Sequence, residues 1–100
     1  MSRFLFPDQA ALAALCHRHR IRRLSLFGSR LKGTARSDSD VDLLVEFEPG
    51  GTPGLLRLSE IEMELSSLLA GRRVDLRTAR DLSRHFREEV IRTALVQYAA

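Results

Sequence analysis

The sequence predicts an α+β (mixed α/β) domain in which a small three-stranded sheet packs against helices. Three observations predict it. Apolar side chains alternate with a period of two in short runs at 21–27, 41–47 and 73–78. They recur at three- and four-residue spacing in runs at 8–19, 52–71 and 81–98. The length of 100 residues, 44% of them apolar and 29% charged, suits one core. Residues 1–100 are therefore read as a single domain.

The elements follow in order. Leu12, Leu15, Cys16 and His19 lie at helical spacing, with Asp8 placed as the cap and His17-Arg18-His19-Arg20 at the negative end. Ile21 to Phe27 reads as a strand with Leu24 and Leu26 on one face. Residues 28–39 are turn chemistry, rich in Gly, Ser and charge. In the next strand Val41, Leu43, Val45 and Phe47 share a face. A Pro/Gly loop follows, and Thr52-Pro53 is a plausible helix start. Leu58, Ile61, Leu65 and Leu68 mark a helix that ends near Gly71. Arg73 to Thr78 is a short strand with Val74 and Leu76 inward. Asp81 is placed to cap a last helix in which Leu82, Phe86, Val90 and Tyr98 pack. The expected order is α-β-β-α-β-α.

Composition excludes several classes. The apolar fraction is too high for a disordered chain. No apolar run approaches the ~20 residues that span a bilayer. The N-terminal residues lack the sustained apolar core of a signal peptide. The single cysteine, Cys16, has no internal disulfide partner and builds no multi-thiolate metal site. A soluble cytoplasmic protein is expected.

The net charge of +3 is unevenly spread. Residues 1–36 carry +7, residues 37–64 carry −7 and residues 65–100 carry +3. A basic flank beside an acidic centre suits a site that holds cations and phosphates together, although solvated helix faces give the same pattern.

The chemistry concentrates between residues 26 and 45. Asp40 and Asp42 are two apart at a strand start, so alternation points both carboxylates to one face. Their repulsion is relieved when they share a divalent cation, and hard oxygen ligands are what Mg²⁺ takes. A bare Asp-x-Asp reads more simply as a solvated strand end. Gly28-Ser29, following a strand, shifts that balance. Glycine lets a phosphate approach the backbone, and the Ser hydroxyl with successive N–H groups can bind phosphate oxygens. Arg30, Lys32 and Arg36 share that loop and could face a triphosphate or only solvent. Asp75 alternates against Val74 and Leu76, so it projects toward Asp40 and Asp42 if its strand pairs beside theirs. Three converging carboxylates fit two-metal phosphoryl or nucleotidyl transfer. A salt bridge to Arg73 or Arg77 is the simpler role for Asp75.

Gly28-Ser29, ten residues, then Asp40-x-Asp42 resembles the signature of the DNA polymerase β-type nucleotidyltransferase superfamily. The small size, the Leu26-Phe27-Gly28-Ser29-Arg30 entry and the downstream Asp75 resemble its minimal nucleotidyltransferase branch, over roughly residues 10–98 with a motif core at about 21–78. Lys32, where that branch usually has a small residue or Arg, is a minor departure. The resemblance implies that Gly28, Ser29 and Arg30 bind the nucleotide phosphates of ATP or another NTP. It implies that Asp40 and Asp42 coordinate Mg²⁺, and that Asp75 completes the metal site or acts as base. It further implies an antitoxin that transfers a nucleoside monophosphate to a hydroxyl, such as a tyrosine of a HEPN-type toxin partner.

Other motifs are weaker. Asp38-Ser39-Asp40-Val41-Asp42 imitates an EF-hand start, but Leu43 stands where Gly is needed and Pro49 where the bidentate Glu is needed. Arg80 and His85 have the Arg-x4-His spacing of HEPN RNases, which are all-helical, and Arg87 stands where they have Tyr. His17 and His19 point to different sides of a helix, and Cys16, Met63, Phe86 and Tyr98 read as packing groups. Two rival functions remain. One is an antitoxin that acts by surface contact alone. The other is nucleic-acid binding through Arg20, Arg22 and Arg23 with Arg72, Arg73 and Arg77, for which no stacking aromatics accompany the arginines.

Overall fold

The computed structural model describes residues 5–27, 41–82 and 84–100. The chain runs α1 (Gln9–Arg18), β1 (Ile21–Phe27), β2 (Val41–Phe47), α2 (Leu55–Leu68), β3 (Val74–Arg77), a 3₁₀ turn (Ala79–Asp81), α3 (Arg84–Thr93) and β4 (Leu95–Ala99). The sheet has four strands in the order β3-β2-β1-β4, not the three expected. The last predicted helix stops at Thr93, and Tyr98 belongs to β4, which pairs antiparallel with β1. Asp81 does not cap that helix. It closes the 3₁₀ turn, where its carboxylate accepts the Thr78 N–H at 2.9 Å.

The first helix forms as its sequence dictates. Asp8 accepts the Ala11 N–H at 2.9 Å, while Leu12, Leu15 and Cys16 face inward. The helix ends at Arg18, and His19 caps it instead of extending its apolar stripe. Arg18 and His19 both bond the carboxylate of Glu64, His19 Nε2 at 2.5 Å, and this ties α1 to α2. Helix α2 begins at Leu55 on an N-cap of Gly54, two residues beyond the expected Thr52. Its chain turns away at Gly71, whose φ of +86° suits only glycine well and whose N–H reaches the Ser66 carbonyl.

Each sheet face has its own apolar cluster. Leu24, Leu26, Val41, Leu43, Val45, Val74 and Leu76 pack against α1 and α2. On the other face Phe27 and Leu44 pack with Leu82, Val90 and Ala94. Met63 departs from expectation and is 73% exposed. The inward stripe of α2 runs through Leu58, Ile61 and Leu65, which leaves position 63 on the far side. The Phe86 side chain lies outside the described residues.

β1 runs antiparallel to β2 and β3 parallel to β2, and the strand order leaves β3 at one edge of the sheet. Its Leu76 N–H, turned away from β2, donates to Glu62 Oε2 at 2.8 Å. No described helix is long and apolar enough to cross a membrane.

Cys16 is fully buried, and burial pushes its thiol up to about 12. A thiol so held stays protonated and inert while the fold is intact. In the unfolded chain it ionises near about 8.5. The stabilising contribution is therefore complete below that pH and is lost as pH rises toward 12, at up to about 1.4 kcal/mol per pH unit. Ellman's reagent is expected to find no reactive thiol in the native protein and one after denaturation. Rapid labelling of the native protein would mean that α1 opens readily.

Candidate active site

The second residues of two neighbouring parallel strands form the centre of the candidate site. Val41 pairs beside Val74, Asp42 beside Asp75 and Leu43 beside Leu76. Since Val41, Leu43, Val74 and Leu76 are committed to the core, alternation turns both carboxylates to the opposite face. Strands so paired lie about 4.8 Å apart, so two like charges are held side by side. Both residues are half-buried.

Arg77 follows on the same face of β3. Its Nε donates to both Asp75 oxygens at 3.3 Å, and its Nη2 donates to Oδ2 at 3.1 Å. Of the two basic neighbours of Asp75, the structure pairs Arg77 with it. Arg73 instead lines an open groove of about 440 Å³ between α2 and β3, together with Ser59, Glu62 and Met63. The bond to Asp75 and that carboxylate's charge hold the Arg77 guanidinium more firmly protonated, and Asp81 and Asp42 add to the same field.

Topology also fixes where the glycine-rich segment attaches. Phe27, the last residue of β1, pairs across from Asp42. The chain thus leaves β1 beside Asp42 and re-enters the sheet at Val41. Gly28, Ser29, Arg30, Lys32, Arg36 and Asp40 lie outside the described residues. Among the described residues no group of three or more His, Cys, Asp or Glu side chains gathers as a metal cluster, and the acidic pair is Asp42 with Asp75.

The arginines offered as a nucleic-acid surface do not converge. Ile21 pairs with Phe47 at one end of β2, and Val74 pairs with Val41 at the other. Arg20, Arg22 and Arg23 are therefore separated from Arg72 and Arg73 by the length of β2, about 20 Å at the rise of a strand. Arg23 faces Glu46 at 3.6 Å, and Arg77 is held by Asp75.

Sequence reasoning raised Arg77 as a salt-bridge partner of Asp75 or as part of a nucleic-acid surface. The signal that places it at the site was present, because residues 75 and 77 share a strand face by alternation. His19 and Glu64 carried no such signal, since their meeting depends on how α1 crosses α2.

A family model described as nucleotidyltransferase domain matches residues 9–97. A Thermococcus cleftensis relative named protein adenylyltransferase MntA is 48% identical over 62 residues. That match covers 62% of this chain and spans 60% of the relative's length. A solved structure of a candidate minimal nucleotidyltransferase is 45% identical, with a TM-score of 0.69, and the match covers 86% of this chain and 85% of that one. A toxin-antitoxin crystal structure with AMP-PNP shares the fold at 23% identity and a TM-score of 0.70, covering 93% of this chain and 74% of that one.

Proposed function

The chain belongs to the nucleotidyltransferase domain family, and from that premise we propose that it transfers a nucleoside monophosphate, AMP from ATP, to a hydroxyl of a partner protein. The observation that carries the reading is the in-register pair Asp42 and Asp75. An acceptor oxygen attacks the α-phosphorus, the bond from that phosphorus to the bridging oxygen breaks, and pyrophosphate leaves.

The residues fit a divalent cation. Asp42 and Asp75 are acceptor-only groups on one face, and their partial exposure leaves room for the water and phosphate oxygens that complete a Mg²⁺ shell. Asp42 and Asp75 would hold the ion, with Asp40 as third ligand. When bound, Mg²⁺ lowers the pKa of the attacking hydroxyl and neutralises charge on the leaving pyrophosphate. Asp75 alternatively takes the acceptor proton as base. Gly28, Ser29 and Arg30, on the segment that leaves β1 beside Asp42, would bind the triphosphate through N–H, hydroxyl and guanidinium donors. We read residues 1–100 as one domain with the motif core at about 21–78.

The name of the Thermococcus relative supports a protein acceptor and an adenylyl donor. The toxin-antitoxin structure with AMP-PNP supports a place in such a pair. The acceptor in this reading is a tyrosine of a HEPN-type toxin. Mass spectrometry of the partner, incubated with this protein, Mg²⁺ and each of the four NTPs in turn, tests the proposal. The expected result is a gain of one AMP on the partner, with ATP alone as donor. A tight complex that gains no mass would instead make the protein an antitoxin acting by contact.

A further inference from the structure

Arg77 engages the oxygens that a cation at this site requires. Its guanidinium bonds both oxygens of Asp75, and its charge also bears on Asp42. Metal and guanidinium therefore compete for one carboxylate. The hold is loose, since the three contacts run from 3.1 to 3.3 Å and the two side chains are 47% and 35% exposed. An exposed pair of this kind is readily exchanged. A released guanidinium keeps its charge at every working pH, and its planar fork matches phosphate oxygens. It would also be released at the face where the acidic pair would hold a metal with its bound phosphates.

We propose that Arg77 is a positioning residue that shares Asp75 with the metal: it holds the carboxylate in the metal-free protein and turns to the nucleotide phosphates when the metal takes its place. This rests on the nucleotidyltransferase reading. It gives the site a charge that moves with loading. Without metal Arg77 offsets part of the repulsion between Asp42 and Asp75, and with metal and nucleotide it offsets the triphosphate.

The exchange predicts opposite changes in two affinities. In Arg77→Gln, Mn²⁺ binding without nucleotide, followed by the electron paramagnetic resonance of the free ion, is expected to tighten about two- to fivefold, the scale of one exposed ion pair. Binding of Mg·ATP to the same variant, followed by calorimetry, is expected to weaken about tenfold, the scale of a lost charge-assisted hydrogen bond. Arg77→Lys, which keeps the charge, should return both values toward wild type. Mn²⁺ affinity that is unchanged or lower in Arg77→Gln, or two affinities that move together, overturns the proposal. Asp75→Asn separates this from failure of the underlying reading. If Mn²⁺ binding depends on Asp75 while Arg77→Gln leaves it unaltered, only the role of Arg77 falls. If Mn²⁺ binding is indifferent to Asp75, the metal site and the role of Arg77 fall together.

Discussion

Replacing Asp75 by Asn is expected to lower nucleotidyl transfer by about 10²- to 10⁴-fold, the range corresponding to several kcal/mol of charge stabilisation at the reacting phosphate. Asn keeps the shape of the side chain and its place on β3, but it loses one anionic oxygen and cannot accept a proton from the acceptor hydroxyl. The fold has little reason to respond. Asp75 is 35% exposed, and its bond to Arg77 is of the surface kind, worth under about 1 kcal/mol. Circular dichroism and the melting temperature should therefore stay close to wild type while single-turnover transfer collapses. Full activity in a correctly folded Asp75→Asn protein would remove the residue from the chemistry. The same comparison at Asp42 should agree in direction, because the two carboxylates occupy equivalent positions on paired strands.

The second large effect is on stability. Ile61 is fully buried within the cluster between α2 and the sheet, so Ile61→Ala is expected to lose about 2–5 kcal/mol. A domain of this size has about 5–15 kcal/mol in total, which brings the variant near the threshold of unfolding at growth temperature. Met63→Ala, two residues away on the exposed side of the same helix, should change stability by less than about 0.5 kcal/mol. Urea midpoints for the pair measure the contrast. Equal losses at the two positions would contradict the packing of α2 described above.

The sequence carried the elements whose signal is local. Strand alternation set Asp42 and Asp75 each opposite its apolar neighbours, leaving their meeting conditional on the two strands pairing, and Asp8 announced its helix by chemistry that acts over three residues. What it could not carry was decided by contacts between distant segments. Leu82, Val90, Ala94 and Tyr98 are spaced in multiples of four, a spacing that suits a helix and also a strand. No Gly or Pro separates Thr93 from Leu95 to mark a stop. Only pairing with β1 makes residues 95–99 a strand. Likewise Asp81, read from sequence as the cap of the last helix, instead forms a reciprocal cap with Thr78 that closes a single 3₁₀ turn. Parallel register between β2 and β3 required knowing that α2 returns the chain to the same end of the sheet. From Asp75 alone the choice between Arg73 and Arg77 was open. Arg77 lies farther along β3, where its side chain reaches back to the carboxylate, whereas Arg73 is drawn into the groove under α2.

The carboxylate of Glu62 on the Leu76 amide has a meaning for the molecule among its own copies. A β-sheet is a polymer of strands with reactive ends, and growth at an end requires a donor and an acceptor in alternation. At β3 one of the outward donors is already occupied by an acid from the protein's own helix, so an approaching strand meets a negative charge where it needs an amide. Strand addition at this edge must first displace that contact, a hindrance placed at one of the sheet's two outer strands, β4 being the other.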